Sequence, residues 1–235
     1  MRYLFGGILS LLLMACHGTP FGVCSGAFET NEVQVVKSTT RLASQSRDAT
    51  VEIHSHRPSG SAFGTGTAFK YKRQTIVVTA AHVIGDTGNI ITVSTYAEEV
   101  VAKIVYYDRA TDLAVLSIPD LSSVKPMRMR PLKQNSLRIG HDILYSGYPN
   151  VTGLFTIEGY VAGLHARGDL YVHSYAWPGA SGSAVLDLHG RLVGVLVALD
   201  VGEGLFGMPN IIEDVVVVIP IWKLNFELLD LNLGI

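Results

Sequence analysis

A serine enclosed by glycines has the surroundings expected of a nucleophile on a tight turn. Ser181 lies in the run WPGASGSA of residues 177–184, and an apolar stretch beginning at Val185 follows it. Glycines on both sides permit the sharp turn that presents a hydroxyl just before a core strand. A serine hydroxyl is a poor nucleophile at neutral pH, so a neighbouring base must take its proton as it attacks a carbonyl. The rest of the sequence must therefore supply that base and a group that orients it.

Two upstream segments carry candidates for these partners. His82 follows the strand-like run of residues 75–79 and the small pair Ala80-Ala81, which permits a sharp turn. Asp112 opens the apolar run of residues 113–118, where a carboxylate needs a reason to be present. We predict that His82 is the general base and that Asp112 holds its tautomer and stabilises the imidazolium. The order His, Asp, Ser is that of the chymotrypsin-type triad, whereas subtilisins and α/β-hydrolases use other orders.

The glycines around Ser181 also place two backbone donors. Gly179 and Gly182 bracket the serine, so the N–H groups of Gly179 and Ser181 can point at the site where an oxyanion develops. Such a donor typically contributes about 3 kcal/mol in the transition state. We predict that these two N–H groups form the oxyanion hole. The residues that compete for the roles of nucleophile and orienting carboxylate are Ser183, Ser174, Asp108 and Asp120.

Length and composition predict a well-packed domain, and the positions of the histidines do not predict a metal site. The chain has 235 residues, of which 48% are hydrophobic, and this is enough for a full core. Its net charge of -2 gives no reason to expect a nucleic-acid partner, since phosphate binding needs a clustered basic surface. His54, His56, His165 and His173 invite a search for a metal site, but no carboxylate or cysteine completes a zinc pattern. We expect neither a metal nor a cofactor.

The first residues have the features of a secretory signal. Arg2 supplies one positive charge, and the apolar stretch from Tyr3 to Met14 is too short to span a bilayer permanently. The run LMAC that ends at Cys16 resembles a bacterial lipobox, in which cleavage precedes a cysteine that then receives lipid. We expect residues 1–15 to be removed and Cys16 to anchor an exported protein at the cell envelope, in the periplasm or on the outer membrane.

An ordinary signal peptide is the alternative. Ser25 and Ala27 are the small residues that such cleavage prefers, so the cut can instead follow Ala27. The only two cysteines, Cys16 and Cys24, both precede the expected domain, so no disulfide can staple the catalytic region. The alternative is a loop closed by a bond between Cys16 and Cys24, which requires Cys16 to escape lipidation.

The pattern along the chain predicts an all-β domain. Residues 16–47 are rich in Gly, Ser and Thr without steady periodicity, and they predict a flexible tether. Short β-rich runs separated by turn residues follow, so we place the domain at residues 48–235. We predict two packed six-stranded β-barrels, at about 48–118 and 133–222, and a short helix at about 221–231. A β-sandwich fits the strand count, but a site between two barrels lets the three chemical segments converge.

Six short motifs occur together over residues 50–222. They are GTG at 64–66, TAAHV at 79–83, TDLAVL at 111–116, GYP at 147–149, PGASG at 178–182 and IP at 219–220. Their combination resembles the trypsin-like serine proteases of the bacterial HtrA (Deg) type. The resemblance implies a chymotrypsin-like double β-barrel, hydrolysis of peptide bonds, no cofactor and a location in the cell envelope.

The chain departs from that family in three respects. One is that we expect the family's long regulatory loop near the N-terminus to be absent or short, which weakens the case for a trimer. Ala180, Ser183 and Ala184 stand where the family usually has Asn, Gly and Pro around the nucleophile. About 13 residues follow Trp222, so we expect no PDZ domain after the protease domain.

The substrate preference is only partly expressed in the sequence. In this fold the pocket for the residue before the scissile bond has walls from the strand before the nucleophile loop and from the strand after Gly194. The uncharged residues nominated for it are Tyr175, Ala176, Val195, Leu196, Val197 and Ala198. They predict a small or apolar preference, while Asp200 nearby is the alternative that favours a basic side chain.

Three functions follow from these observations. An exported serine endopeptidase acting on proteins or peptides is the first, and its oligomeric state is left open. A catalytically silent protease-like scaffold is the second, which the presence of His82, Asp112 and Ser181 opposes. An esterase is the third, and the order of the three residues disfavours it.

Overall fold

Two β-sheets make up most of the molecule. The computed structural model describes residues 40–57, 60–151, 153–165, 167–203 and 209–235, without the side chains of residues 151, 198–203 and 209–213. The strands of the first sheet are β1 (Thr50–Arg57), β2 (Gly60–Tyr71), β3 (Gln74–Ala80), β4 (Ile90–Ser94), β5 (Glu99–Val101), β6 (Lys103–Asp108), β7 (Leu113–Ser117) and β8 (Met127–Arg128). The strands of the second sheet are β9 (Asp142–Gly147), β10 (Phe155–Leu164), β11 (Leu170–His173), β12 (Ala184–Asp187), β13 (Leu192–Glu203) and β14 (Pro209–Pro220).

The first sheet is a curled, barrel-like structure of eight strands. Seven follow the order β5-β4-β1-β2-β3-β7-β6, and β8 pairs in parallel with β2. The two outermost strands, β5 and β6, are separated in the chain only by Ala102, so the sheet bends until its edges meet. The N–H of Ala102, between these two strands, donates to the carbonyl of Ile91 on β4 at 2.9 Å. The expected six strands are therefore eight.

The second sheet is a closed barrel with the strand order β10-β11-β14-β13-β12-β9. Its six strands agree with the prediction, and the chymotrypsin-like pair of β-barrels is confirmed. Strand β13 contributes to two cores because successive side chains point to opposite faces. Leu196 packs in the interior of its own barrel, whereas Val195 and Val197 pack in the core shared with the first sheet. This shared core holds the two halves of the domain together.

A helix precedes β1. Helix α1 (Arg41–Ala49) begins after Thr40, whose hydroxyl accepts the N–H of Ala43 at 3.2 Å. Arg47 donates from Nη1 to the carbonyl of Leu154 at 2.9 Å, which attaches the helix to the second barrel. The expected tether of residues 16–47 is therefore wrong for residues 41–47, because side-chain contacts with the domain stabilise a helix that local composition does not indicate. The rest of the tether, the signal segment, Cys16 and Cys24 lie outside the described residues.

The chain ends with two short helical segments. Residues Ile221–Lys223 form a 3-10 turn, and helix α2 (Phe226–Leu233) follows, with the Asn225 side chain accepting the N–H of Leu228 at 3.0 Å. The predicted helix of residues 221–231 is thus divided, since Asn225 has an extended backbone and caps a new helix. No helix among the described residues has the length and apolar character needed to cross a bilayer.

Candidate active site

His82 and Asp112 contact each other in the first sheet. His82 lies on the single helical turn Ala81–Ile84 after β3, and Asp112 lies in the turn before β7. Asp112 Oδ2 is 2.7 Å from His82 Nδ1, and Asp112 Oδ1 accepts the backbone N–H of His82 at 2.8 Å. A carboxylate only accepts, so the hydrogen on Nδ1 faces Asp112 and Nε2 is left to accept a proton. The half-exposed imidazole is therefore oriented as a base requires.

The backbone of Asp112 explains how its carboxylate reaches the histidine. Its φ is 56°, a left-handed conformation that aspartate adopts more readily than most residues. Its carbonyl also accepts the N–H of Ala81 at 3.1 Å, so backbone and side chain bind the same helical turn. We interpret this conformation as the cost of aiming both carboxylate oxygens at His82.

The two rival carboxylates are engaged elsewhere. Asp108 accepts the hydroxyl of Thr111 at 2.8 Å and the N–H of Ala110 at 2.9 Å. Burial raises the pKa of Asp108, but these hydrogen bonds outweigh it and hold the pKa below its usual value. Asp120 binds Lys70 Nζ at 2.8 Å and the hydroxyl of Thr75. Asp112 is the one of the three that contacts His82 in the described part of the chain.

Thr65, on β2, clamps the loop that carries Ser181. Its N–H donates to the carbonyl of Ser181 at 2.8 Å, and its hydroxyl donates to the carbonyl of Gly179 at 2.7 Å. The same hydroxyl accepts the N–H of Tyr148 at 3.0 Å, so it bonds two backbone groups at once. Sequence reasoning did not assign this role to Thr65, although the motif GTG at 64–66 marks a place where another backbone can approach closely.

The glycines of the loop are required by its conformation. Gly179 has φ 97°, and a Cβ there would lie 2.5 Å from the carbonyl oxygen of Tyr148 and 2.6 Å from the ring of Phe63. Gly182 has φ 93°, and a Cβ there would lie 2.0 Å from the carbonyl oxygen of Thr65. Within the described residues, the N–H groups of Gly179 and Ser181 have no hydrogen-bond partner. The loop therefore leaves free the two donors that the sequence nominated for an oxyanion.

The hydroxyl of Ser181 is not bonded to His82. It donates to the carbonyl of Val197 at 3.4 Å, a long hydrogen bond, and no described contact joins it to the imidazole. Nevertheless, the segments that carry His82 and Ser181 both pack against Gly64 of β2. A Cβ on Gly64 would lie 2.6 Å from Val83 Cγ2, beside His82, and 3.0 Å from the carbonyl oxygen of Ser181. In proteins without bound substrate, catalytic hydrogen bonds are often long and tighten in the complex.

The rival serines are buried and bonded to carbonyls. Ser183 is fully buried, and its hydroxyl donates to the carbonyl of Ala180 at 2.7 Å. Ser174 is also buried, and its hydroxyl donates to the carbonyl of Glu158 at 3.2 Å. Neither hydroxyl is available to a substrate in this arrangement, whereas Ser181 is partly exposed.

A cavity of about 1060 Å³ opens beside the histidine. His82, Asp112 and Val197 line it, together with residues of the segments 85–89, 107–111 and 165–169. Both sheets contribute to it, so it is a cleft between the two halves of the domain. The cleft gives access to the side chain of His82, whereas Ser181 is not among its lining residues.

The residues nominated for the substrate pocket do not converge. Val197 lines the cleft, but Val195 and Leu196 are buried in the two cores, as the alternation of β13 requires. Ala176 packs in the second barrel, and the side chain of Ala198 lies outside the described residues. Tyr175 is 53% exposed and stacks on Trp177, with ring centroids 6.3 Å apart.

No group of three or more metal-binding side chains occurs among the described residues. Two of the histidines singled out from the sequence, His54 and His56, stack on each other on β1. His54 contacts Glu52 at 3.3 Å, and His56 bonds the hydroxyl of Thr92 at 3.1 Å.

Comparison with known proteins gives a consistent result. The family model described as a trypsin-like peptidase domain matches residues 64–195. The HtrA-like serine protease of Staphylococcus aureus (strain USA300) is 29% identical over 223 residues, which cover 86% of this chain and 27% of the relative. The chain thus spans about a quarter of the length of such relatives.

Two solved structures have the same fold. The serine endoprotease of Yersinia pestis superposes with a TM-score of 0.63 at 24% identity, covering 80% of this chain and 65% of that chain. The Rv3671c protease of M. tuberculosis in its active form superposes with a TM-score of 0.62 at 20% identity, covering 78% of this chain and 80% of that chain. At these identities the likeness concerns the fold alone.

Proposed function

Because the chain belongs to the trypsin-like peptidase family, we propose that it is a serine endopeptidase with Ser181 as nucleophile, His82 as general base and Asp112 as the group that orients His82. The carrying observation is the pair of contacts from the Asp112 carboxylate to Nδ1 and the backbone N–H of His82, at 2.7 and 2.8 Å. With Nδ1 bonded to Asp112, Nε2 is left to accept a proton, as a base requires.

The reaction begins when the Ser181 side chain turns from the carbonyl of Val197 toward His82. Nε2 takes the hydroxyl proton as Oγ forms a bond to the peptide carbonyl carbon, and the carbonyl oxygen becomes an oxyanion. The N–H groups of Gly179 and Ser181 stabilise that oxyanion. The imidazolium then gives its proton to the leaving amine as the C–N bond breaks. Water attacks the acyl-enzyme in the same way, with His82 again as base, and Ser181 is regenerated.

Labelling with a fluorophosphonate probe tests this proposal. The wild-type protein should be labelled and should cleave peptides, and Ser181→Ala should lose both while keeping its thermal unfolding temperature. Ser183→Ala is the matched control, and it should keep part of both because its hydroxyl only supports the loop through Ala180. Equal loss in the two variants, or a folded wild-type protein without labelling, would contradict the proposal.

A catalytically silent binding protein is the second candidate. It is favoured by the hydrogen bond from Ser181 Oγ to Val197, which leaves the hydroxyl unconnected to the base. A silent protein with this geometry should bind peptides in the cleft without reacting with the probe. The labelling experiment therefore separates the two functions.

The proposal includes a small or apolar preference before the scissile bond. Support comes from Val197, the one nominated side chain that lines the cleft among the described residues. Peptides that differ only at this position, with Ala, Val, Phe, Lys or Glu, measure the preference through kcat/KM.

The proposal also includes export and attachment to a membrane through a lipid on Cys16. Its support is the apolar stretch from Tyr3 to Met14 followed by Ala15-Cys16. Attached acyl chains contribute about 0.8 kcal/mol per buried methylene, and several such chains hold a soluble domain at a bilayer. Cys16→Ser should release the protein from membranes or block its processing. A mature N-terminus beyond residue 24 without lipid, measured by mass spectrometry, would contradict the anchor while leaving the protease proposal intact.

A further inference from the structure

The cleft beside His82 differs in charge from the molecule as a whole. The chain has a net charge of -2, whereas the lining of the cleft has four cationic side chains and three carboxylates. The cationic side chains are Arg57, Arg109, Arg167 and Lys223, and the carboxylates are Asp86, Asp112 and Asp169. The ion pairs among these groups decide which charges are available to a ligand.

Two of the three carboxylates are already engaged. Asp169 is almost fully buried, and Lys223 Nζ lies 2.5 Å from its Oδ1, while Arg167 Nε lies 3.9 Å from its Oδ2. Asp112 is engaged by His82. Asp86 is exposed and accepts the N–H of Gly88 at 3.0 Å, but it has no ion pair within the described residues. Among the described lining residues, the charges without an ion pair are therefore one carboxylate, Asp86, and two guanidinium groups, Arg57 and Arg109.

Arg57 is half-buried, and one nitrogen of its guanidinium lacks a partner among the described residues. Its Nε is buried and makes no hydrogen bond to any described residue. The guanidinium packs directly against Gly85, where a Cβ would lie 2.3 Å from Nη2, and Gly85 has φ 79°. A buried donor that lacks an acceptor is costly, and the cost is larger for a charged group. Because Nε is buried, a ligand carboxylate would have to bind the guanidinium where Arg57 lines the cleft.

Arg109 belongs to the same wall of the cleft. Tyr107, two residues earlier, donates its hydroxyl to the carbonyl of Gly85 at 2.8 Å, which joins the segment of Arg109 to the site of Arg57. Arg109 is exposed and has no ion pair or hydrogen bond among the described residues. Guanidinium groups recognise carboxylates well because their N–H groups match the two oxygens.

We propose that Arg57 and Arg109 form a subsite for a carboxylate of the polypeptide substrate, so that the protein prefers an acidic side chain in the segment that lies beside His82. This inference rests on the proposed function, since it takes the cleft at His82 to hold the substrate. It is separate from the apolar preference before the scissile bond, because Arg57 lies on β1 and Arg109 in the turn after β6, whereas Val197 lies on β13 of the second sheet.

Matched peptides test the subsite. Each pair differs by one exchange of Glu for Gln, placed in turn at every position within four residues of the cleaved bond. Cleavage is measured as kcat/KM, and binding is measured by fluorescence anisotropy with the Ser181→Ala protein. At one position or more, the Glu peptide should be favoured by about three- to tenfold at low salt, since ion pairs range from weak when exposed to stronger when bidentate. The preference should decrease in 1 M NaCl, because the distance over which charges interact falls to about 3 Å.

Variants separate the subsite from a general charge effect. Arg109→Gln and Arg57→Gln should each reduce the preference, and the double variant should abolish it. Arg73→Gln removes the same charge from an exposed position outside the cleft, so it should leave the preference unchanged. Arg109 is exposed, so its variant should fold even if Arg57→Gln does not.

The outcomes distinguish this inference from the proposed function. If Glu and Gln peptides bind the Ser181→Ala protein equally at every position, the subsite is wrong, whatever the labelling shows. If no peptide is cleaved and no probe reacts, the proposed function fails, and the binding ratio still decides the subsite. A preference that persists unchanged in Arg109→Gln would also overturn the assignment.

Discussion

The two halves of the candidate site are held in different ways. His82 and Asp112 both belong to the first sheet, and they are joined by their side chains at 2.7 Å. Ser181 belongs to the second sheet, and its loop is held through its backbone by Thr65, while its hydroxyl contacts Val197. His82 is thus oriented by a side-chain contact, whereas Ser181 has its main chain held by Thr65 and its hydroxyl directed to Val197. In the proposed reaction, the step still to occur is therefore the turn of the Ser181 side chain toward His82.

The same comparison explains where strain and glycine occur. On the histidine side, Asp112 adopts a left-handed φ of 56° so that its carboxylate reaches His82. On the serine side, Gly179 and Gly182 adopt the left-handed conformations, so the loop turns without a side chain in the way. A substitution of Asp112 should therefore affect the orientation of His82, and a substitution of Gly179 or Gly182 should affect the position of the loop.

The largest effect should follow from breaking the histidine side. Asp112→Asn keeps the shape but replaces the acceptor facing Nδ1 by an amide, so the imidazole can take the wrong tautomer. We expect kcat to fall by about 10⁴-fold with little change in KM. Combining Asp112→Asn with Ser181→Ala should add little, because the residues act as a unit. A loss below tenfold, measured on a folded variant, would argue against Asp112 as the orienting group.

An intermediate effect should follow from loosening the serine side. Thr65→Val removes the hydroxyl that binds Gly179 and Tyr148, so the loop is less well placed. We expect stability to fall by about 1–3 kcal/mol and kcat to fall by up to about 10²-fold. Thr67→Val is the control, since this buried hydroxyl on the same strand accepts the N–H of Ala184, beyond the loop. Thr67→Val should lower stability without lowering kcat. An equal loss of kcat in both variants would contradict the claim that Thr65 positions the loop of Ser181.

The smallest effect should follow from altering a carboxylate outside the site. The hydrogen bond from Lys70, followed by that from Thr75, holds the pKa of Asp120 below its usual value of 3.8. A lowered pKa means that Asp120 stabilises the fold above pH 3.8 and loses this contribution as the pH falls through the folded-state pKa. Asp120→Asn should lower Tm slightly at pH 7, and the difference from wild type should vanish under strongly acidic conditions. Its kcat/KM should change by less than about twofold. A larger loss of activity would mean that Asp120 acts on the site.

Much of this site was accessible from residue types and their spacing. Glycines around Ser181, small residues before His82 and a carboxylate opening an apolar strand are local signals. They predict the pair that the structure brings into contact, although the shared role of the three residues stays a prediction. Alternation along the chain likewise predicted β-strands, because each strand expresses its buried face in its own sequence. The two barrels were predicted from the need for the three chemical segments to converge.

Only the tertiary structure decided the remaining features. Thr65 binds Gly179, which lies 114 residues away, and Arg57 meets Gly85 through a turn of the first sheet. Helix α1 formed where local composition predicted a tether, and Leu196 faced a core rather than the cleft. These outcomes depend on which strands are neighbours and which face of a strand meets another sheet. Such contacts join distant parts of the chain, so the sequence by itself determined the candidate chemical groups, and the packing of the two sheets determined which of them meet.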